Sequence, residues 1–134
     1  MKILSPRVHG FLDYGVVALL LLAPSLFGFA GVPATICYVL AVTQAAMSLL
    51  TAYPLGLAKI LPFSIHGAIE ALTSVFVLAS PWIFGFAENY AARNFFIASA
   101  VGLGVVWLVT DYRSSYAAKT SYGVRYGSER HSFS

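Results

Sequence analysis

The sequence predicts an all-α, polytopic membrane protein, a bundle of four transmembrane helices built from two tandem helical hairpins. The first observation is composition: 59% of the residues are hydrophobic and 10% are charged, whereas soluble domains carry about 25% charged residues. The second is that residues 14–58 contain no Asp, Glu, Lys or Arg, a stretch long enough for two spans of about 20 residues. The third is that one apolar pattern occurs twice.

Residues 9–30 and 66–87 carry the repeated pattern, at an offset of 57 residues. Each copy begins with His-Gly and ends with a proline, two further residues and then Phe-Gly-Phe-Ala. The two copies are identical at 8 of 22 positions, and the identities lie mostly at the two ends. Chance similarity between apolar segments would scatter through the middle. We interpret the pattern as an internal duplication, and the short match between residues 49–53 and 108–112 extends it.

The second copy contains Ser80-Pro81-Trp82, and this motif resembles the SPW-repeat family of small bacterial membrane proteins. The family pattern is two copies of a two-helix unit with the motif in the first helix of each. The resemblance covers roughly residues 5–112, and the first copy keeps only Pro24 of the three motif residues. It implies a location in the bacterial inner membrane and no established biochemical activity.

Four spans follow from the apolar runs and their end signals. Ser5 and Pro6 are typical of a helix N-cap and first helical position. The predicted spans are residues 6–27, 34–53, 64–84 and 94–112, with a polar turn at 88–93. They form one transmembrane domain over residues 1–112, with repeat 1 at about 5–53 and repeat 2 at about 62–112. Residues 113–134 are polar and without period, so we expect a flexible cytoplasmic tail.

Positive charge predicts the orientation. Seven Lys and Arg residues lie on the side of the termini and only Arg93 lies on the other, and cytoplasmic loops carry the excess of these residues. Both termini are therefore predicted to be cytoplasmic. Tyr53 and Tyr112 would then lie at the inner interface and Trp82 at the outer one. Because each repeat has an even number of spans, the halves should be related by a parallel pseudo-two-fold axis along the membrane normal.

The repeated proline motif is predicted to be structural. A proline within a helix removes a hydrogen bond and bends the helix, and in lipid the freed carbonyl groups need other partners. We expect each proline to bend its helix, end the span and position the Phe-Gly-Phe segment. The alternative is that the carbonyl groups freed by the two prolines line an ion or substrate pathway. The motif residues are Pro24, Phe27, Gly28, Phe29, Ser80, Pro81, Trp82, Phe84, Gly85 and Phe86.

Four ionisable residues are the candidate polar cluster. His9 and Asp13 are four residues apart, as are His66 and Glu70, so each pair shares one helix face. Ionisable side chains within a span face the bundle interior and are candidates for function. The first interpretation is a pair of structural His–carboxylate hydrogen bonds with no metal and no cofactor. The alternatives are a proton or ion relay and a site for haem, a metal or a chlorin held by imidazole nitrogen.

The function predicted first is a non-enzymatic membrane protein, a small structural or accessory subunit. Its partners would be the lipid bilayer and a second copy of itself or a larger membrane complex. A small transporter or proton-conducting protein using Asp13 and Glu70, and a cofactor-binding subunit using His9 and His66, are the alternatives. No catalytic residue is predicted, because the loops are short and no serine or lysine nucleophile has partners at plausible depth. The net charge of +3 is not concentrated in a patch of the kind that binds nucleic acid.

Overall fold

A computed structural model describes residues 2–113 and has four α-helices. They are α1 (Pro6–Phe27), α2 (Val32–Leu50), α3 (Phe63–Ile83) and α4 (Tyr90–Val109). All four are long and apolar enough to cross a membrane, and the predicted all-α four-helix bundle is confirmed. Residue 1 and residues 114–134, with nearly all of the predicted tail, lie outside the described residues.

The helix boundaries agree best with the prediction at α1. Ser5 is its N-cap, with the side chain accepting a hydrogen bond from the Val8 amide. The predicted ends of the second and fourth spans, residues 53 and 112, were too late: α2 ends at Leu50 and α4 at Val109. Thr51 and Thr110 take extended backbone angles and form isolated bridges with Leu61 and Leu4. The predicted polar turn was too long, since α4 already begins at residue 90 after an Asn89 N-cap.

The helices pack as two hairpins, α1 with α2 and α3 with α4, and the hairpins meet through α1 and α4. Backbone hydrogen bonds from Ile3 and Leu4 to the Val109 carbonyl, at 2.8 and 2.9 Å, tie the start of the chain to the end of α4. α1 and α3 begin at the same end of the bundle, which we call the histidine end because His9 and His66 lie there with their rings 5.6 Å apart. The opposite end, which holds Pro24 and Pro81, is the proline end.

Each hairpin turn at the proline end places one phenylalanine in the core. Gly28 and Gly85 adopt left-handed backbone angles, with φ of 69° and 71°, a conformation that glycine adopts without steric cost. The chain reverses there, and the next residue, Phe29 or Phe86, is buried against Phe95 or Phe96. The preceding phenylalanines, Phe27 and Phe84, are exposed. The left-handed glycine thus separates a partly exposed ring from a buried one.

The motif prolines are buried inside α1 and α3. The Pro24 carbonyl accepts the amide of Phe29 at 3.0 Å, and the Pro81 carbonyl accepts that of Phe86 at 2.8 Å. The Ser80 hydroxyl donates to the Phe76 carbonyl at 2.7 Å. Trp82 lies on the bundle surface, 59% exposed.

A buried histidine–carboxylate cluster

The four candidate residues come together at the histidine end. His9 and Asp13 lie on α1 and His66 and Glu70 on α3, and each is at most 3% exposed. One ligand atom from each residue lies within 4.8 Å of the ligand atoms of the other three. The cause is in the sequence: a spacing of four residues puts each pair on one helix face, and the two helices begin side by side. Each hairpin contributes one imidazole and one carboxylate.

The cluster is a single shared network and not two independent pairs. His9 Nε2 lies 3.3 Å from Asp13 Oδ1, as the spacing predicts. It also lies 3.4 Å from Glu70 Oε2, and His66 Nε2 lies 3.4 Å from Asp13 Oδ2. Within residues 2–113 no ring nitrogen of His66 lies within 4.0 Å of a Glu70 carboxylate oxygen, so the predicted hydrogen bond on α3 is wrong. The histidines instead bridge the two hairpins.

Two threonines fix the tautomer of both histidines. Thr51 Oγ1 donates its hydrogen to the Met47 carbonyl at 2.6 Å, so the same oxygen must accept a hydrogen from His66 Nδ1, 2.7 Å away. Thr110 does the same for His9, donating to the carbonyl of residue 106 at 2.6 Å and accepting from Nδ1 at 2.9 Å. A neutral imidazole with hydrogen on Nδ1 has its lone pair on Nε2. Both lone pairs therefore point into the cluster.

Two tyrosines orient the carboxylates. The Tyr53 hydroxyl donates to Asp13 Oδ2 at 2.9 Å and the Tyr112 hydroxyl donates to Glu70 Oε2 at 2.5 Å. Burial, reinforced by the nearby carboxylates, raises the pKa of both tyrosine hydroxyls well above its usual value. Both tyrosines therefore stay protonated and act as hydrogen-bond donors.

The glycine of each His-Gly pair makes room for these tyrosines. A methyl group at Gly67 would lie 2.7 Å from Tyr112 Cε1, and one at Gly10 would lie 3.0 Å from Tyr53 Cε2. Real Cβ atoms essentially never come within 3.0 Å of another atom, so a side chain at Gly67 would displace the Tyr112 ring, and the contact at Gly10 would be tight. In each repeat the histidine of His-Gly thus contributes an imidazole to the cluster. The glycine leaves space for the tyrosine that donates a hydrogen bond to a carboxylate.

Phe63 covers the cluster at the histidine end. Its side chain is fully buried, and its ring centroid lies 5.2 Å from that of His9 and 4.6 Å from that of Tyr112. The residue at the same place in the first half is Pro6, so this cover has no counterpart there. An apolar shell of this kind limits access of water to the ionisable groups.

Sequence reasoning missed four members of this network. Thr51 and Tyr53, with Thr110 and Tyr112, lie in the matching segments 49–53 and 108–112. The sequence predicts both tyrosines at the membrane interface and does not indicate that Tyr53 is buried, 2% exposed, with its hydroxyl on Asp13. The sequence feature that indicates these residues is Thr-x-Tyr, which occurs in both halves. Its recurrence suggests that the threonine and the tyrosine have the same role in each half.

The four residues could hold a metal ion. The Nε2 atoms of His9 and His66 are buried and have no hydrogen-bond partner. Their three separations from carboxylate oxygens, 3.3–3.4 Å, exceed the roughly 2.7–2.9 Å of a charge-assisted hydrogen bond. Each is close to the separation of about 3.3–3.4 Å between two ligand atoms that bind one metal tetrahedrally with bonds of about 2.0–2.1 Å, and the other separations within the set are at most 4.8 Å. An ion at the centre would satisfy both nitrogens at once.

Charge favours the same interpretation. Two carboxylates lie in a largely apolar interior, and within the described part of the chain no Lys or Arg lies within 4.0 Å of either one. Buried charge is stable only when it is paired or coordinates a metal. A divalent cation would neutralise both carboxylates and use both histidine lone pairs. The Thr–His and Tyr–carboxylate hydrogen bonds match the outer-shell partners that orient metal ligands in proteins.

Comparison with known protein families, with curated proteins and with solved structures finds no match. The resemblance to the SPW-repeat family therefore stays a prediction from the quoted motif.

Proposed function

We propose that this chain is a membrane protein that binds one divalent first-row transition-metal ion through His9, Asp13, His66 and Glu70. The observation that supports this most strongly is the pair of buried, unpartnered Nε2 atoms pointing at two carboxylates. This interpretation replaces the first expectation, no metal and no cofactor, with one of its alternatives. A single bound ion would explain the position of the four ligands, the tautomers of the two histidines and the hydrogen bonds that orient all four residues.

The donor set indicates the class of metal. Two imidazoles and two carboxylates suit first-row transition-metal ions such as Zn²⁺, Fe²⁺ or Mn²⁺, because imidazole binds transition metals whereas Mg²⁺ and Ca²⁺ prefer oxygen alone. The only cysteine, Cys37, is on α2 and is not in the cluster, so the site has no thiolate ligand of the kind that soft ions such as Cu⁺ prefer. Zn²⁺ is the most practical probe, because it has no redox chemistry.

The ion would join the two hairpins, since each contributes half of the ligands. Such a link agrees with the predicted role as a non-enzymatic structural or accessory subunit, in which metal binding sets how the hairpins meet. With both termini cytoplasmic, as the positive charges predict, the ion would lie near the cytoplasmic boundary of the inner membrane. The SPW-repeat resemblance and an assembly with itself or with a larger complex belong to the same proposal.

Metal content tests the proposal. The protein is purified in detergent, stripped with a chelator and titrated with Zn²⁺, and we expect one ion per chain. Asp13→Asn and Glu70→Gln preserve size, and His9→Ala and His66→Ala each remove a ligand. We expect each of the four changes to weaken binding by at least about tenfold, the lower bound seen for outer-shell changes alone.

Glu88→Gln is the matched control, because it makes the same chemical change at an exposed carboxylate next to α4 at the proline end. It should leave the affinity unchanged. Absence of stoichiometric Zn²⁺, Fe²⁺ and Mn²⁺ binding by the folded wild-type protein would refute the metal site. The relay alternative would then be the better explanation, with proton flux in liposomes that Asp13→Asn and Glu70→Gln abolish.

A further inference from the structure

A cavity of about 430 Å³ separates the two hairpins, within the range of about 300–1,000 Å³ typical of small-molecule sites. It extends along α1 from Asp13 to Phe27, a rise of about 21 Å at 1.5 Å per residue. Its far end is formed by Phe27 and Phe95. The cavity is therefore long and narrow and connects the cluster with the proline end.

The two ends of the cavity differ in chemistry. Asp13 and Glu70 are the only charged residues in its lining, and both lie at the histidine end. The rest of the wall is apolar apart from three uncharged residues, Gln44, Thr73 and Ser99. A ligand that matches this wall has one polar head, which faces the carboxylates, and one long apolar tail.

Part of the cavity wall is exposed on the surface of the bundle. The exposed lining residues include Leu12 and Leu19 on α1 and Ala98 and Gly102 on α4. In a protein that spans the membrane this surface faces lipid, so a ligand enters from the bilayer. Gly102 also leaves the wall open, because no atom lies within 4 Å of the place where its Cβ would be.

We propose that the cavity binds a neutral, membrane-soluble amphiphile whose hydroxyl head donates a hydrogen bond to the carboxylates of Asp13 or Glu70. An ionised carboxylate is an acceptor only, so the head must be a donor. A neutral head fits because the proposed divalent ion already balances both carboxylates. The neutrality of the head rests on the proposed metal site, whereas the hydrogen bond does not, since the carboxylate oxygens accept a hydroxyl with or without an ion.

The alternative occupant is the acyl chain of a bilayer lipid, which would fill the apolar part and ignore the carboxylates. Two probes with the same tail separate the cases: 4-dodecylphenol has a donor, and its methyl ether, 4-dodecylanisole, has none. The protein is placed in lipid nanodiscs with each probe, and the one-to-one adduct is measured by native mass spectrometry. We expect the anisole to bind roughly tenfold to a hundredfold more weakly, the effect of losing a hydrogen bond to a charged group.

Gly102→Leu adds a side chain to the cavity wall at a position where the Cβ meets no atom within 4 Å, and it should reduce phenol binding at least tenfold. Gly15→Leu is the matched control, because a Cβ at Gly15 also meets nothing within 4 Å and Gly15 does not line the cavity. It should leave phenol binding intact. Thermal midpoints establish that both variants are folded.

Metal content is measured on the same samples, which keeps the two proposals separate. Equal affinity for phenol and anisole, or equal binding by both leucine variants, overturns the amphiphile site whatever the metal content. Phenol-selective binding that Gly102→Leu abolishes supports it, even in a protein that holds no metal.

Discussion

The Tyr112 hydroxyl donates a 2.5 Å hydrogen bond to Glu70, a residue 42 positions earlier in the chain. Tyr53 bonds to Asp13 in the same way across 40 positions. In each hairpin the residue just beyond the second helix thus returns to the first helix and holds its carboxylate. The buried carboxylates are therefore stabilised by the segments that follow α2 and α4 as well as by residues on the helix faces.

Removing either tyrosine hydroxyl should weaken the cluster without changing its shape. We expect Tyr112→Phe and Tyr53→Phe to destabilise the protein by about 1.5–3 kcal/mol each, because a hydrogen bond to a charged group is lost. Metal affinity should fall by about tenfold to a hundredfold, as for other outer-shell partners. Thermal unfolding and Zn²⁺ titration measure the two effects.

Tyr38→Phe is the control for this pair, since Tyr38 lies on α2 and is exposed. It should match the wild type in both measurements. If the Tyr53 and Tyr112 variants also matched the wild type, the hydroxyls would have no role in holding the carboxylates.

A methyl group at Gly67 should displace Tyr112 from Glu70. Gly67→Ala places Cβ 2.7 Å from the ring, and overpacking of this kind costs about 1–3 kcal/mol. Gly10→Ala should cost less, because its nearest contact, 2.9 Å away, is the flexible end of Leu55. Gly15→Ala, in open space on α1, should stabilise by helix propensity. We expect the thermal midpoint to be highest for Gly15→Ala, intermediate for Gly10→Ala and lowest for Gly67→Ala.

The helices and the membrane class followed from the sequence because apolar length and end signals are local properties. Ser5 and Pro6 fixed the start of α1, and the long uncharged stretch required two spans. The spacing of His9 and Asp13 likewise follows from helix geometry, so the members of the candidate cluster could be named in advance. Their cross-pairing could not, because it depends on how the two hairpins meet.

The threonine and tyrosine partners show where local reasoning ends. Tyr53 has an amphipathic side chain, and its position at a span end is equally typical of an interfacial belt and of a buried hydrogen-bond donor. Only the tertiary structure distinguishes the two roles, because it shows the Tyr53 hydroxyl hydrogen-bonded to Asp13. The early ends of α2 and α4 have the same origin, since Thr51 and Thr110 leave the helix to form bridges and to accept hydrogen bonds from histidine.

The orientation of the bundle is a separate prediction. We expect a reporter fused after residue 134 to be cytoplasmic, because seven of the eight Lys and Arg residues lie on the side of the termini. A reporter inserted after residue 87, in the turn before α4, should be external. The insertion point avoids the first turn of α4, which begins at Tyr90. An external reporter at residue 134 would reverse the orientation and move the cluster to the other membrane face.

The motif proline of α3 should position Trp82. Pro81→Ala is expected to restore a regular helix end and shift the indole, seen as a change in Trp fluorescence in a Trp107→Phe background. Pro24→Ala should perturb the structure less, because the residue after Pro24 is Ser25, which has no indole ring to displace as Trp82 has after Pro81. Membrane insertion should be unchanged in both variants, since apolarity is kept. Identical spectra and unchanged thermal midpoints would show that the prolines are incidental.

The last prediction concerns the threonine that fixes the tautomer of His66. Thr51→Val keeps the side-chain shape but removes the acceptor for the Nδ1 hydrogen. A buried donor without a partner costs about 1–3 kcal/mol, so the imidazole should change to the tautomer with hydrogen on Nε2, which can donate to Asp13.

That tautomer has no lone pair on the side of the metal, so Zn²⁺ affinity should fall by about tenfold to a hundredfold. Nitrogen chemical shifts of the imidazole should report the change directly, which a merely structural defect would not produce. Thr51→Ser restores the acceptor and should restore both readouts. Thr43→Val is the matched control, because Thr43 also donates to a carbonyl of α2, at 2.8 Å, but lies far from any histidine contact. An unchanged His66 tautomer in Thr51→Val would show that the threonine does not direct Nε2 into the cluster.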